Sequence, residues 1–254
     1  MKKITYAFAL SASCFASVAA DAAGAIVPEL SIGPLEIGAA AESVEAALKE
    51  LNSEYKISPL TSNDKVGGYI AEDLPDDDDA PGDAAFVLIE GGKVVAIQRK
   101  WIVPAEQGVV PQSALDSFTQ KFGQVDNSVW KSIHLNRERP SLELEWNYGR
   151  DGKVQRNFSA CGKGIDLATY SGHKTKFYVP RTLWSNCGAV IRAKAGSSYS
   201  DSAAAGLVVK FDVQITDIQS QYDYAKAEQD RIEAEKAAAL EAAADKAKNN
   251  KLAL

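Results

Sequence analysis

A Gly91-Gly92 pair between two apolar runs constrains this chain more than any other feature. Ala85-Phe86-Val87-Leu88-Ile89-Glu90 reads as a strand, and residues 93–103 read as its return. Two glycines tolerate the positive φ that a two-residue hairpin turn demands. In the return strand, Val95, Ile97 and Arg99 are expected on one face and Val94, Ala96 and Gln98 on the other. A loop over 104–111 then leads to a helix over 114–122, capped by Gln112 or Ser113. Leu115, Phe118 and Phe122 form its apolar stripe, and Gly123 ends it.

The same order occurs on both sides of this unit. Upstream, Val44, Ala47, Leu48 and Leu51 recur at helical spacing, which predicts a helix over 39–51. Residues 55–60 follow as a strand, with Pro59 marking an edge or an end. Downstream, 130–135 and 142–148 read as strands. Leu142, Leu144, Trp146 and Tyr148 share one face of the second, with Glu143 and Glu145 on the other. Gly149-Arg150-Asp151-Gly152 turns the chain, 154–158 returns, and strands are expected again over 187–193 and 207–215. The fold class is therefore α+β. Its expected divisions are a first helix-and-sheet repeat over 23–111 and a second over 112–216, either with separate sheets or merged into one continuous sheet.

The remaining segments differ in composition. Lys2 and Lys3 precede an apolar stretch of small residues, with small residues at Val18, Ala20 and Ala22, which reads as a Sec-type signal peptide over 1–22. Acylation of Cys14 is the competing reading, but Ser11-Ala12-Ser13 lacks the Leu expected at −3. No later stretch approaches a membrane-spanning length, and the acidic mature chain argues against nucleic-acid binding. The expected location is the periplasm or the exterior. Cys161 and Cys187 then remain, and they are expected to pair as a structural disulfide. Residues 71–83 hold seven carboxylates, two prolines and no base, and read as a solvated loop. Residues 217–248 lack Gly and Pro and read as one long helix of Ala, Glu and Lys. It carries acid-first pairs such as Asp223/Lys226 and Glu228/Arg231 but no sustained apolar seam.

Chemistry is sparse. His134 and His173 are the two imidazoles, and both read as surface or structural side chains. There is no Gly-x-Ser-x-Gly, His-Glu-x-x-His or phosphate-binding glycine motif. No metal site or cofactor is expected. Residues 131–181 carry ten bases against five acids, so Arg137, Arg139, Arg150, Lys153, Arg156, Lys174 and Lys176 are candidate binding residues for an anionic surface or an acidic protein. Glu143 and Glu145 could instead act as acid and base on cell-wall glycans.

Gly38-Ala39, followed by Val44 and Leu48, resembles the helix opening of the β-lactamase inhibitor protein-like envelope domains, in which a Met takes the place of Ala39. Residues 92–99, Lys121-Phe122-Gly123 and Trp146-x-Tyr148 with Gly152 are similar to a group of secreted proteobacterial proteins. The resemblance implies tandem helix-plus-sheet repeats in an envelope protein and supplies no catalytic residue. Together these readings favour a non-enzymatic binding or structural module with a protein partner in the envelope. A hydrolase using Glu143 and Glu145 is the alternative.

Overall fold

The computed structural model describes residues 28–62, 65–74, 82–135, 139–155, 161, 167–171, 176–180, 183–197 and 206–248. Residues 1–22, expected to be a signal peptide, the cluster Asp76-Asp77-Asp78-Asp79 and His173 lie outside them. The chain begins with a small antiparallel pair, β1 (Ser31–Ile32) and β2 (Leu35–Glu36). Helix α1 (Val44–Leu51) leads into β3 (Lys56–Ser62), β4 (Lys65–Asp73), β5 (Gly82–Glu90) and β6 (Lys93–Ile102). Helix α2 (Pro111–Phe122) leads into β7 (Trp130–His134) and β8 (Ser141–Gly149). A separate hairpin follows, β9 (Leu167–Ser171) and β10 (Lys176–Pro180). Then come β11 (Cys187–Gly196), β12 (Lys210–Asp217) and helix α3 (Ile218–Lys248).

The eight long strands form one antiparallel sheet in the order β3-β4-β5-β6-β12-β11-β8-β7. Each half contributes one helix and four strands of this sheet, and the last strands of the halves pair at the centre. There Gln98 on β6 stands opposite Gln214 on β12. The α+β class, the tandem repeats and the long terminal helix are as expected from the sequence.

Both helices cover the same face. Val44 and Leu48 of α1, and Ala114, Phe118 and Phe122 of α2, join one core cluster with Ala71, Ala85, Val87, Ile97, Leu144, Trp146, Ala193 and Ile215. Small residues at Ala71, Ala85, Ala193 and Ala195 let helices approach a sheet closely, while Trp146 and Phe122 fill the remaining depth, their rings 5.7 Å apart. Pro111 starts α2 at its first turn, where a missing N–H costs nothing, so the helix begins earlier than the Gln112 or Ser113 cap implied. Its end is closed by Tyr148, whose hydroxyl donates to the Phe122 carbonyl at 2.7 Å. Lys49 does the same for α1, donating to the Ser53 and Tyr55 carbonyls at 2.9 and 2.6 Å.

Several expectations need correction. Residues 39–43 are a bridge and a 3-10 turn, so the α-helix starts at Val44. The acidic segment is shorter than its composition implied. Glu72 and Asp73 belong to β4, and Gly82 and Asp83 to β5, where Asp83 receives Arg99 through Nε at 3.0 Å and Nη2 at 2.6 Å. Strand alternation fails in β6, because a register shift against β5 sends Val95 and Ala96 to the same side and leaves Val94 and Ile97 in the main core. Of the expected return strand over 154–158, the described residues contain one bridge, Val154 to Tyr148. Strands β4, β9 and β10 carry no clear alternation in the sequence. In β4, Gly68 stands where any Cβ would come within 2.3 Å of the Val87 carbonyl oxygen.

Candidate binding site

The face of the sheet opposite the α1 and α2 core is built from the residues that alternate with the core. Its β3–β6 half is apolar. Ile70, Ala84, Phe86, Leu88, Val95 and Ala96 cluster there, and Phe177 of β10 closes them by stacking on Phe86 at 5.4 Å. The half running from β6 to β7 is polar. Strand pairing lines up Lys100, Asp212, Lys194, Glu143 and Ser132 in one row across five strands. The next row runs Gln98, Gln214, Arg192, Glu145.

Cross-strand neighbours of opposite sign attract at strand spacing, and these rows use that. Arg192 Nε meets Glu145 Oε2 at 2.6 Å, and Asn147 Nδ2 donates to the other Glu145 oxygen at 3.1 Å. Lys194 meets Glu143 at 2.5 Å. Asp212 takes Gln98 Nε2 at 2.7 Å and lies 3.8 Å from Lys100 Nζ. Burial pushes the Asp212 carboxyl above its ordinary range, against the pull of Lys100, Gln98, Lys194 and Arg192. Burial likewise holds the Lys100 ammonium below its usual value.

Where the first row meets the strand ends, small residues leave a hollow of about 300 Å³. Gly196, Ser141 and Ser132 contribute little bulk, and Lys194, Glu143, Asp212 and Lys210 stand around them. A Cβ added at Gly196 would meet only the Pro140 carbonyl oxygen, at 3.7 Å, so the space above it is open. Beside it, Ser132 Oγ and His134 Nε2 are 3.2 Å apart. This cleft is the candidate site.

The basic residues singled out in the sequence do not converge on it. Arg139 is exposed just before β8, whereas Arg150 lies just beyond its far end, roughly 30 Å away for a nine-residue strand. Arg150 is committed to α3, meeting Asp223 at 2.7 Å with its guanidinium 5.5 Å from the Tyr222 ring centroid. Lys153 is exposed in the turn after β8. Lys176 is placed as a backbone position in β10. Arg137, Arg156 and Lys174 lie outside the described residues. Cys161 and Cys187 form a disulfide, buried with Val190 and Ile218. Glu143 and Glu145 do share a face, each drawn to a cation on β11 and not toward the other. The missed part of the site is β11, where Arg192 and Lys194 alternate with opposite sign to Glu143 and Glu145. That match was readable, and it specifies the β8–β11 pairing.

No group of three or more His, Cys, Asp or Glu side chains that could hold a metal occurs among the described residues. No helix among them is long and apolar enough to cross a membrane. No family model, curated protein or solved structure matches the chain.

Proposed function

We propose that this chain is an exported, non-catalytic binding module of the cell envelope, using the cleft at the β7–β12 end of the polar sheet face. The observation that carries the reading is the state of the carboxylates. Glu143, Glu145 and Asp212 are each directed at a protein cation or amide. General acid–base catalysis needs such groups aimed at a shared substrate atom, and charges locked in a ladder suit recognition better. Export is supported by the signal-like residues 1–22 and by the disulfide, a bond that persists in oxidising compartments. The tandem repeats suit the β-lactamase inhibitor protein-like resemblance. Helix α3 offers a second surface for an envelope protein partner, because residues 229–246 are exposed on every side.

The test is incubation of the mature protein with a panel of cell-wall glycans and peptides, alongside Glu143→Gln and Glu145→Gln. No product is expected from any of the three. Turnover that disappears in either variant would replace this reading with the carboxylate hydrolase. Export is checked separately, by fusing residues 1–30 to a reporter enzyme that is active only outside the cytoplasm.

A further inference from the structure

We propose that the cleft binds a zwitterionic peptide, a short chain with a free ammonium and a free carboxylate, placing its carboxylate on Lys194 and its ammonium on Glu143. The proposal rests on the binding-module reading and names the ligand class for the same cleft.

Charge alternates along the first row of the polar face. Lys100, Asp212, Lys194 and Glu143 come from β6, β12, β11 and β8, which are successive neighbours in the sheet. Adjacent strands lie about 4.8 Å apart, so sign alternates at that interval along the row. A ligand of a single sign would meet a repelling group beside every attracting one. A ligand carrying both signs a few ångströms apart meets matched partners.

The two ion pairs of β8 and β11 also differ in depth. The Arg192–Glu145 pair is 20 and 14% exposed and has Asn147 as a third member, so opening it would strand a half-buried charge. The Lys194–Glu143 pair is 49 and 41% exposed and lines the hollow. An exposed pair of this kind contributes little to stability. Ligand groups can therefore replace each partner at small cost, while the deeper pair holds the strands in register.

The shape of the hollow limits the size of the ligand. The hollow of about 300 Å³ is at the small end for ligand pockets. Gly196 leaves the space over β11 open, and the Ser132 and Ser141 hydroxyls can both donate to and accept from a peptide bond. A peptide of two or three small residues matches this size, and Leu142, Ala195 and Phe211 in the lining suit its methyl groups.

The test is calorimetric titration of the mature protein with alanylalanine, its N-acetyl form and its C-terminal amide. The free dipeptide is expected to bind, and blocking either end should weaken it at least tenfold. Lys194→Met and Glu143→Gln should each cost a similar factor, and Gly196→Leu should abolish binding by filling the hollow. Circular dichroism reports whether that last variant stays folded, and the two charge variants stand on their own if it does not. Absence of binding, equal binding of a blocked form, or full binding by both charge variants would overturn the inference and leave the binding-module reading intact. Release of free alanine during the titration would instead sink the binding-module reading.

Discussion

Arg150 Nη2 donates to Asp223 Oδ1 at 2.7 Å, which ties the turn after β8 to the second turn of α3. Sequence spacing pairs Asp223 with Lys226, but Lys226 meets Asp230 instead, at 2.9 Å. On the other side of α3, Tyr224 reaches the β5–β6 turn, where a Cβ on Gly91 would sit 3.1 Å from its ring. The helix therefore leaves the sheet held between one turn from each repeat.

This arrangement gives a small coupling and a large backbone effect. The Arg150 and Asp223 side chains are 35 and 51% exposed, so a double-mutant cycle with alanine should yield about 0.5 kcal/mol. Gly91→Ala should cost more, about 1 to 2 kcal/mol, because φ is +58° there and the new methyl crowds Tyr224. Urea unfolding of the single and double variants measures both. A coupling above the glycine effect would reverse the order of importance.

Truncation separates the docked and free parts of α3. The helix is about 46 Å long, with Ile218 and Gln221 buried and residues 229–246 exposed. Its outer part is supported by local pairs such as Arg231 with Glu228 and Glu235. Removing residues 229–254 should shift the melting temperature by no more than about 2 °C. Ile218→Ala should cost about 2 to 4 kcal/mol, because that side chain packs with Val190 beside the disulfide. Thermal melts of the two proteins check this.

Alkaline stability should depend on Tyr148. Burial pushes its hydroxyl up to about 12, whereas in the unfolded chain it ionises near pH 10. Between those values the folded protein keeps a proton that the unfolded chain has lost. Its contribution is therefore complete below pH 10 and lost as pH rises to about 12, a difference of roughly 3 kcal/mol. Tyr55 is shifted in the same direction, chiefly by burial, so the wild-type loss includes both. Tyr148→Phe should be about 1 to 2 kcal/mol less stable at pH 7, having lost the bond to the Phe122 carbonyl. It should then lose less between pH 10 and 12. Parallel stability–pH curves for the two proteins would refute the assignment.

Phe177 should matter more than its short strand suggests. It is fully buried, stacks on Phe86 and lies 5.5 Å beneath Lys100. Phe177→Ala is expected to cost about 3 to 5 kcal/mol. Reducing the Cys161–Cys187 bond, which spans 26 residues and encloses β9 and β10, should cost about 3.5 kcal/mol on loop entropy alone. Denaturation with and without reductant measures the two effects.

The parts of this fold readable in advance are those where local pattern and tertiary role coincide. Gly91-Gly92 had to turn, Leu142-x-Leu144-x-Trp146-x-Tyr148 had to face a core, and residues 218–248 had nothing to break a helix. The bulge at Val95 was not readable, because Val94, Val95, Ala96 and Ile97 are all apolar and only their β5 partners decide which turns inward. Strand β4 escaped because Gly67-Gly68 masks its alternation, and β10 because Phe177 finds its place against Phe86 far away in sequence. The candidate site was half readable. The face bearing Glu143 and Glu145 followed from alternation, but the cleft depends on Gly196 standing beside Ser141, a neighbourhood set by pairing between distant strands.

The most direct test of the binding role is an amide-resolved NMR titration of the isotope-labelled mature protein against peptide-containing envelope extract fractions. Shifts confined to Ser132, Ser141, Lys194, Gly196 and Lys210, and absent from Gly196→Leu, are the expected result. Unchanged spectra, or the same shifts in Gly196→Leu, would mean that this face of the sheet is not where the protein binds.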